Sequence, residues 1–264
     1  MLLKTILFAA YAAAVCTVTA GADPALKSYN NVKTVNHAFR PGEKLTYSIS
    51  WSNVVQAGRA VMEVRAGKTP GGRPAYELLS QTDSVGMVDK VYRVRDTVHS
   101  VIDAEELSSC AFSLRESHGK RKRIRDMVFD NEKGTVKTTV NGVSETYPVP
   151  ERVQDALSSL YYVRTRQDLI VGKPIMVDVH DSGKTWAVEI HTLGRERITT
   201  PAGDFDAIIV KTYPKYEGVF MNKGEIIIWF TDDARRVPVL MKSKISIGSI
   251  VATLTEIQGG YNRP

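Results

Sequence analysis

Cysteine is scarce in this chain: two residues in 264, Cys16 and Cys110. Cys16 lies in the N-terminal apolar stretch, so loss of that stretch leaves one thiol and no intrachain disulfide. Long apolar runs are equally scarce. The one long uncharged stretch separates Lys4 from Asp23, which excludes a chain that crosses a membrane repeatedly by helices. Histidine numbers five, at positions 37, 99, 118, 180 and 191, and no pair has the spacing of metal ligands on a helix or tight turn. Gly-x-Ser-x-Gly is absent, and Gly71-Gly72 and Gly259-Gly260 introduce no helix, so neither reads as a phosphate loop. Nothing repeats at a solenoid or propeller period. No catalytic residue, metal site or cofactor is therefore expected.

The N-terminal stretch is itself informative. One basic residue, an apolar centre from Ile6 to Val15 and small residues at Val18-Thr19-Ala20 and Ala20-Gly21-Ala22 form a secretory leader. Residues 1–22 are expected to be removed on export, leaving no spanning helix. Val15 stands before Cys16 where lipid attachment wants a small residue, so lipidation is the minor alternative. Export to the periplasm or cell envelope excludes nucleic acid as the natural partner. The formal charge of +6 falls to +5 without Lys4, enough for solubility and compatible with anionic lipid, acidic glycan or an envelope protein.

Residues 23–38 read as a linker, 39–258 as a single β-rich domain and 259–264 as a tail. Within the domain the period is two. Leu45, Tyr47, Ile49 and Trp51 share one face, and similar runs recur at 57–66, 90–102, 107–116, 121–130, 133–140, 174–181, 184–192, 205–213, 224–231, 236–246 and 249–257. Asn141-Gly142, Ser182-Gly183 and Ala202-Gly203-Asp204 mark turns. A two-residue turn at Ser182-Gly183 sets His180 opposite Thr185 and keeps His191 far along its strand. Each histidine is then expected to be a surface strand residue.

One segment follows a helical period. From 151 to 167, Val153, Ala156, Leu157, Leu160, Tyr161 and Val163 fall on one stripe, with Pro148 and Pro150 before it and Arg164 and Arg166 at its end. The expected fold is mainly β: a many-stranded, strongly curved open barrel or β-spiral around one amphipathic helix. Leu157, Leu160 and Tyr161 would anchor that helix on the sheet.

Candidate binding residues come from charge and aromatic patterning. Arg121, Arg123 and Arg125 alternate on one strand face, where a row of guanidiniums suits phosphate or carboxylate, or where charge protects an edge strand. Tyr161, Tyr162 and Trp229 offer large apolar bodies with polar tips, for core packing or for lining a cavity. Cys110, among small and apolar neighbours, reads as a buried inert thiol.

Four ordered stretches carry a resemblance: Phe39-Arg40-Pro41-Gly42-Glu43-Lys44-Leu45-Thr46-Tyr47; Gln154-Asp155-Ala156-Leu157-Ser158-Ser159-Leu160-Tyr161-Tyr162-Val163-Arg164; Thr200-Pro201-Ala202-Gly203-Asp204-Phe205; and Trp229 to Val239, followed by Ile247-Gly248. Together they resemble domain-of-unknown-function family 3108, exported bacterial proteins without an assigned activity. The resemblance implies an envelope protein and carries no catalytic residue. A looser similarity is to envelope-integrity proteins with a long β-spiral clasping a helix, which keep a disulfide that this chain lacks. The expected function is non-enzymatic binding of a lipid-like or cell-wall ligand, or of an envelope partner, on a curved β surface. The alternative is an enzyme acting on an envelope polymer through a dispersed site, with His99, His118 or carboxylates.

Overall fold

A computed structural model describes residues 28–30, 35–216, 219–220, 226–244 and 248–259. The expected leader, part of the linker and all of the tail but Gly259 lie outside the described residues. The first half of the chain forms β1 Lys44–Trp51, β2 Val55–Lys68, β3 Pro74–Ser84, α1 Gly86–Val91, β4 Val94–Asp103, β5 Ser109–His118, β6 Arg121–Asp130, β7 Thr135–Val140 and β8 Val143–Pro148. After α2, Ala156–Arg164, come β9 Ile175–Asp181, β10 Lys184–Thr200, β11 Gly203–Tyr216, β12 Val219–Phe220, β13 Ile226–Thr231, β14 Pro238–Lys244 and β15 Ser249–Gln258.

The strands form one curved sheet in the order β8-β7-β6-β5-β4-β3-β2-β1-β15-β14-β13-β11-β10-β9, with β12 paired to β11. Every ladder is antiparallel. The sheet is not closed. Its terminal strands, β8 and β9, share no ladder, and side chains join this region instead. Arg125 on β6 pairs with Asp181 at the end of β9, and the rings of Phe129 and Tyr147 lie 6.4 and 5.8 Å from that of His180.

An antiparallel meander sorts its turns to two ends. The β2–β3, β4–β5, β6–β7 and β13–β14 connections lie at the end where β1 begins. The β1–β2 turn, α1, and the β5–β6, β7–β8 and β14–β15 turns lie at the other. The inward face carries the core, with Leu45, Tyr47 and Ile49 fully buried as their alternation predicts. Asn141 (φ 48°) with Gly142 (φ 90°), and Ser182 (φ 51°) with Gly183 (φ 82°), make two-residue hairpin turns in the left-handed region that such turns require.

Four expectations need correction. β3 was not anticipated, because its buried face runs Leu78, Ser80, Thr82, Ser84 and loses hydrophobic contrast. β8 turns only Tyr147, half-buried, toward the core, hence no periodic signal. The strand expected from Lys90 begins at Val94, because residues 86–91 turn into a short second helix with Met87 and Val91 in solvent. The main helix spans nine residues, not 151–167. Val153 and Gln154 bridge strands instead: the Val153 carbonyl accepts the Ser109 N–H at 3.1 Å, and Gln154 donates to the Asp178 carbonyl at 2.9 Å and accepts from His180 at 2.8 Å. The prolines thus precede an extended bridge, and the cap falls to Asp155.

Candidate functional site: a cavity between the helix and half of the sheet

α2 lies across the end where β1 begins and is held at both of its own termini. At the first, the Asp155 carboxylate accepts the N–H groups of Leu157 (2.8 Å) and Ser158 (2.9 Å) through Oδ1. Its Oδ2 accepts the hydroxyls of Ser100 (2.6 Å) and Ser109 (2.8 Å). The Ser158 hydroxyl returns to the Asp155 N–H at 2.8 Å and completes a capping box. Burial raises the Asp155 pKa, while the surrounding donors oppose that rise.

At the second terminus Arg164 is buried. Its guanidinium donates to both Glu43 oxygens, at 2.7 and 2.8 Å, and to the carbonyls of Ala38 (3.1 Å) and Arg235 (3.3 Å). It also lies over the rings of Phe39 and Tyr161, at 5.4 and 5.0 Å. From sequence, Arg164 is a basic residue near the helix end, where its charge suits the macrodipole. It is also the tie that brings together residues from three of the four motif stretches: Glu43 before β1, the helix, and Arg235 in the β13–β14 turn. Local spacing gives no sign of such a long-range pair.

The helical stripe divides in two. Leu157 and Tyr161 are fully buried and Tyr162 nearly so. Ala156, Ser159, Leu160 and Val163, an i, i+3, i+4, i+7 set, face an apolar cavity of about 70 Å³ that opens to solvent. Its other walls are Met62, Val177, Val179, Val188, Ile190, Val210, Thr212, Ile226, Ile228, Met241 and Ser243. The cavity therefore belongs chiefly to the β9–β14 half of the sheet. Its polar atoms are few and partly engaged. The Thr212 hydroxyl accepts the Ile226 N–H at 3.1 Å, and the Ser159 hydroxyl donates to the Ala156 carbonyl at 2.9 Å. None of these fifteen lining residues titrates at physiological pH. Such a surface favours an apolar guest and offers no general acid, base or metal ligand.

The six residues singled out from sequence lie elsewhere. Tyr161 packs edge-on to Phe39 with centroids 5.0 Å apart, and Tyr162 accepts from Arg166 at 3.2 Å. Trp229 alternates with cavity-lining Ile228 and so sits on the outward face, where its indole N–H meets Glu196. The arginine row is on β6, which is flanked by β5 and β7 and is not an edge strand. It runs inward: Arg121 is exposed, Arg123 half-buried, and Arg125 buried against Asp181 and 6.0 Å from the Phe112 ring centroid. Burial lowers the Arg125 pKa to about 10. Arg125 is thus a core ion-pair member, unlike the two residues before it in the row.

His180 sits opposite Thr185, as the turn predicts, with Nδ1 at 3.0 Å from its hydroxyl. It is fully buried, not a surface residue, because the β6–β8 part of the sheet covers this side of β9. Desolvation, aided by Arg125, lowers its pKa to about 4. His118 contacts Asp96 at 2.8 Å and its pKa is raised by that bond. Among the described residues no three His, Cys, Asp or Glu side chains gather as a metal site. Cys110 is buried, and burial pushes its thiol up to about 11, an unreactive state near neutral pH. No helix among the described residues is long and apolar enough to cross a membrane.

The architecture recurs in solved structures. A β-barrel-like protein of domain of unknown function DUF1849 from Brucella abortus superposes with a TM-score of 0.58 at 11% identity, covering 85% of this chain and 100% of that one. An exported protein with a YmcC-like fold from Bacteroides fragilis matches at TM-score 0.36 and 11% identity, over 86% of this chain and 100% of its own. A lipoprotein from Parabacteroides distasonis matches at 0.35 and 12%, again over 86% and 100%. The first establishes a barrel-like fold; the other two are too distant for further comparison. No curated protein matches the chain. The model of the family described as protein of unknown function DUF3108 matches residues 46–255, and the chain belongs to that family.

Proposed function

We propose that this is an exported, non-enzymatic carrier or receptor that holds the apolar chain of a lipid-like molecule between α2 and the β9–β14 half of its barrel. The observation that carries the reading is the cavity itself. Its walls are aliphatic, it opens to solvent, and its floor is a helix fixed at both termini. A polymer-cleaving enzyme would need titratable groups converging on its substrate, and nothing on these walls supplies them. The secretory pattern of residues 1–22 supports delivery to the periplasm or envelope, where such ligands are found.

Titration with a fluorescent long-chain fatty acid tests the reading. The wild type should bind with saturable enhancement of emission. Leu160→Trp, which places a larger ring into the cavity from a half-buried position, should weaken binding at least tenfold while the far-ultraviolet spectrum stays unchanged. Equal affinity in the two proteins would remove the cavity from the function.

A further inference from the structure

The end of the barrel opposite α2 carries apolar side chains in water beside cations that make no ion pair among the described residues. Val54 in the β1–β2 turn is 82% exposed, and Met87 and Val91 on α1 are 70% and 83% exposed. These groups belong to one surface. The Val85 N–H donates to the Ala57 carbonyl at 3.0 Å, setting α1 beside the β1–β2 hairpin. The Gly119 N–H donates to the Arg93 carbonyl at 2.8 Å, and the Tyr92 ring lies 6.5 Å from that of His118, setting the β5–β6 turn beside α1. That turn leads directly into Lys120, Arg121 and Lys122, all exposed and with no ion pair among the described residues.

The acids at this end are engaged. Asp89 pairs with Arg95 at 2.7 Å, Asp83 with Arg95 at 3.2 Å and Asp96 with His118 at 2.8 Å. Glu116 stands across from Arg123 in the β5–β6 ladder. The surplus charge at the β5–β6 turn is therefore positive. The cavity reaches the same level of the barrel, because lining residue Ser243 is in register with Ile250, which is in register with Trp51 beside the β1–β2 turn.

We propose that this end docks on an anionic phospholipid bilayer, with Val54, Met87 and Val91 entering the interface and Lys120, Arg121 and Lys122 meeting the headgroups. Isolated exposed apolar residues are ordinary on protein surfaces. Three at adjoining turns, beside a free basic cluster, match the two components of interfacial binding: buried apolar area and attraction to anionic lipid. Docking does not depend on what the cavity holds, so failure of fatty-acid binding leaves it standing.

The test is co-sedimentation of the exported chain with vesicles of phosphatidylcholine alone or mixed with phosphatidylglycerol, at low and moderate salt. No acyl probe is present, and comparison between variants cancels any contribution of the leader. The wild type should partition onto the mixed vesicles, less so as salt rises, and little onto the neutral ones. Each of Lys120→Gln, Arg121→Gln and Lys122→Gln should lower partitioning about fivefold, and together by about a hundredfold. The pair Val54→Asp and Val91→Asp should lower it comparably. Lys133→Gln, in the β6–β7 turn at the opposite end, should have no effect. Three results would overturn the proposal: equal sedimentation of wild type and triple variant, equal binding to neutral vesicles, or retention on an acidic polysaccharide resin without vesicle binding. The last would make the partner an acidic polymer.

Discussion

The two ends of this barrel are built on opposite terms. At the end that α2 crosses, the two charged groups that fix the helix are buried and matched: Asp155 with four donors, Arg164 with Glu43 and two backbone carbonyls. At the other end, apolar groups stand in solvent, and Lys120, Arg121 and Lys122 have no counter-ion among the described residues. Groups at the first end hold one another, so it supplies a fixed floor. The exposed apolar side chains and Lys120, Arg121 and Lys122 at the second have no such partners within the described residues, so substitutions of them should affect association more than folding.

The largest effect that would break this contrast lies at Glu43–Arg164. Glu43→Gln leaves a buried guanidinium without its counter-charge and should cost about 3–5 kcal/mol in urea unfolding. The paired change Glu43→Leu with Arg164→Met should recover much of that loss, since it leaves no charge behind. Val91→Asp at the far end should move stability by no more than about 0.5 kcal/mol. Equal effects at the two ends would erase the distinction.

The helix sharpens the comparison within a single element. Leu157→Ala removes a fully buried side chain and should cost about 2–5 kcal/mol. Leu160→Ala trims a half-buried wall of an existing cavity and should cost less than half as much. Sequence periodicity makes the two leucines equivalent anchors and leaves Arg166 off the apolar stripe. The structure separates the leucines and buries Arg166 against Tyr162 and Asp168.

A smaller effect concerns the region where the ends of the open sheet meet. Burial raises the Asp178 pKa to about 6, above its usual carboxylate value, whereas His180 is lowered to about 4. The signs oppose. The raised carboxyl contributes stability that is fully present below about pH 4 and lost as pH rises through 6. The lowered imidazole contributes stability that is present above about pH 6.5 and lost as pH falls through 4. Each amounts to something on the order of 3 kcal/mol across the window. For this pair the wild-type profile should be nearly flat from pH 4 to 6.5. His180→Gln should become more stable as pH falls, and Asp178→Asn less stable. Parallel profiles in both variants would show that neither group titrates as its burial implies.

Fold and site differ in how far they can be read from residues alone. Strands such as β1, with Leu45, Tyr47 and Ile49 inward, declare themselves because one face is apolar and the other is not. β3 conceals its inward face behind serine and threonine, and β8 turns only Tyr147 inward. The helix is visible by its period, but its shorter length depends on backbone bonds from Val153 and Gln154 to distant strands. Arg121, Arg123 and Arg125 do share a face. Whether that face looks outward is set by sheet curvature, which alternation does not encode. The cavity was illegible for the same reason: Val177, Val210, Ile228 and Met241 look like any other core residues until the strands curve away from α2 and leave space.

Native mass spectrometry of the protein recovered from the cells that make it tests most directly whether that space holds a ligand. The expected spectrum shows the chain with a bound mass in the range of a fatty acid or phospholipid, present in the wild type and absent from Leu160→Trp. A bare chain in both, or the same adduct in both, would contradict the assignment of the cavity as the binding site.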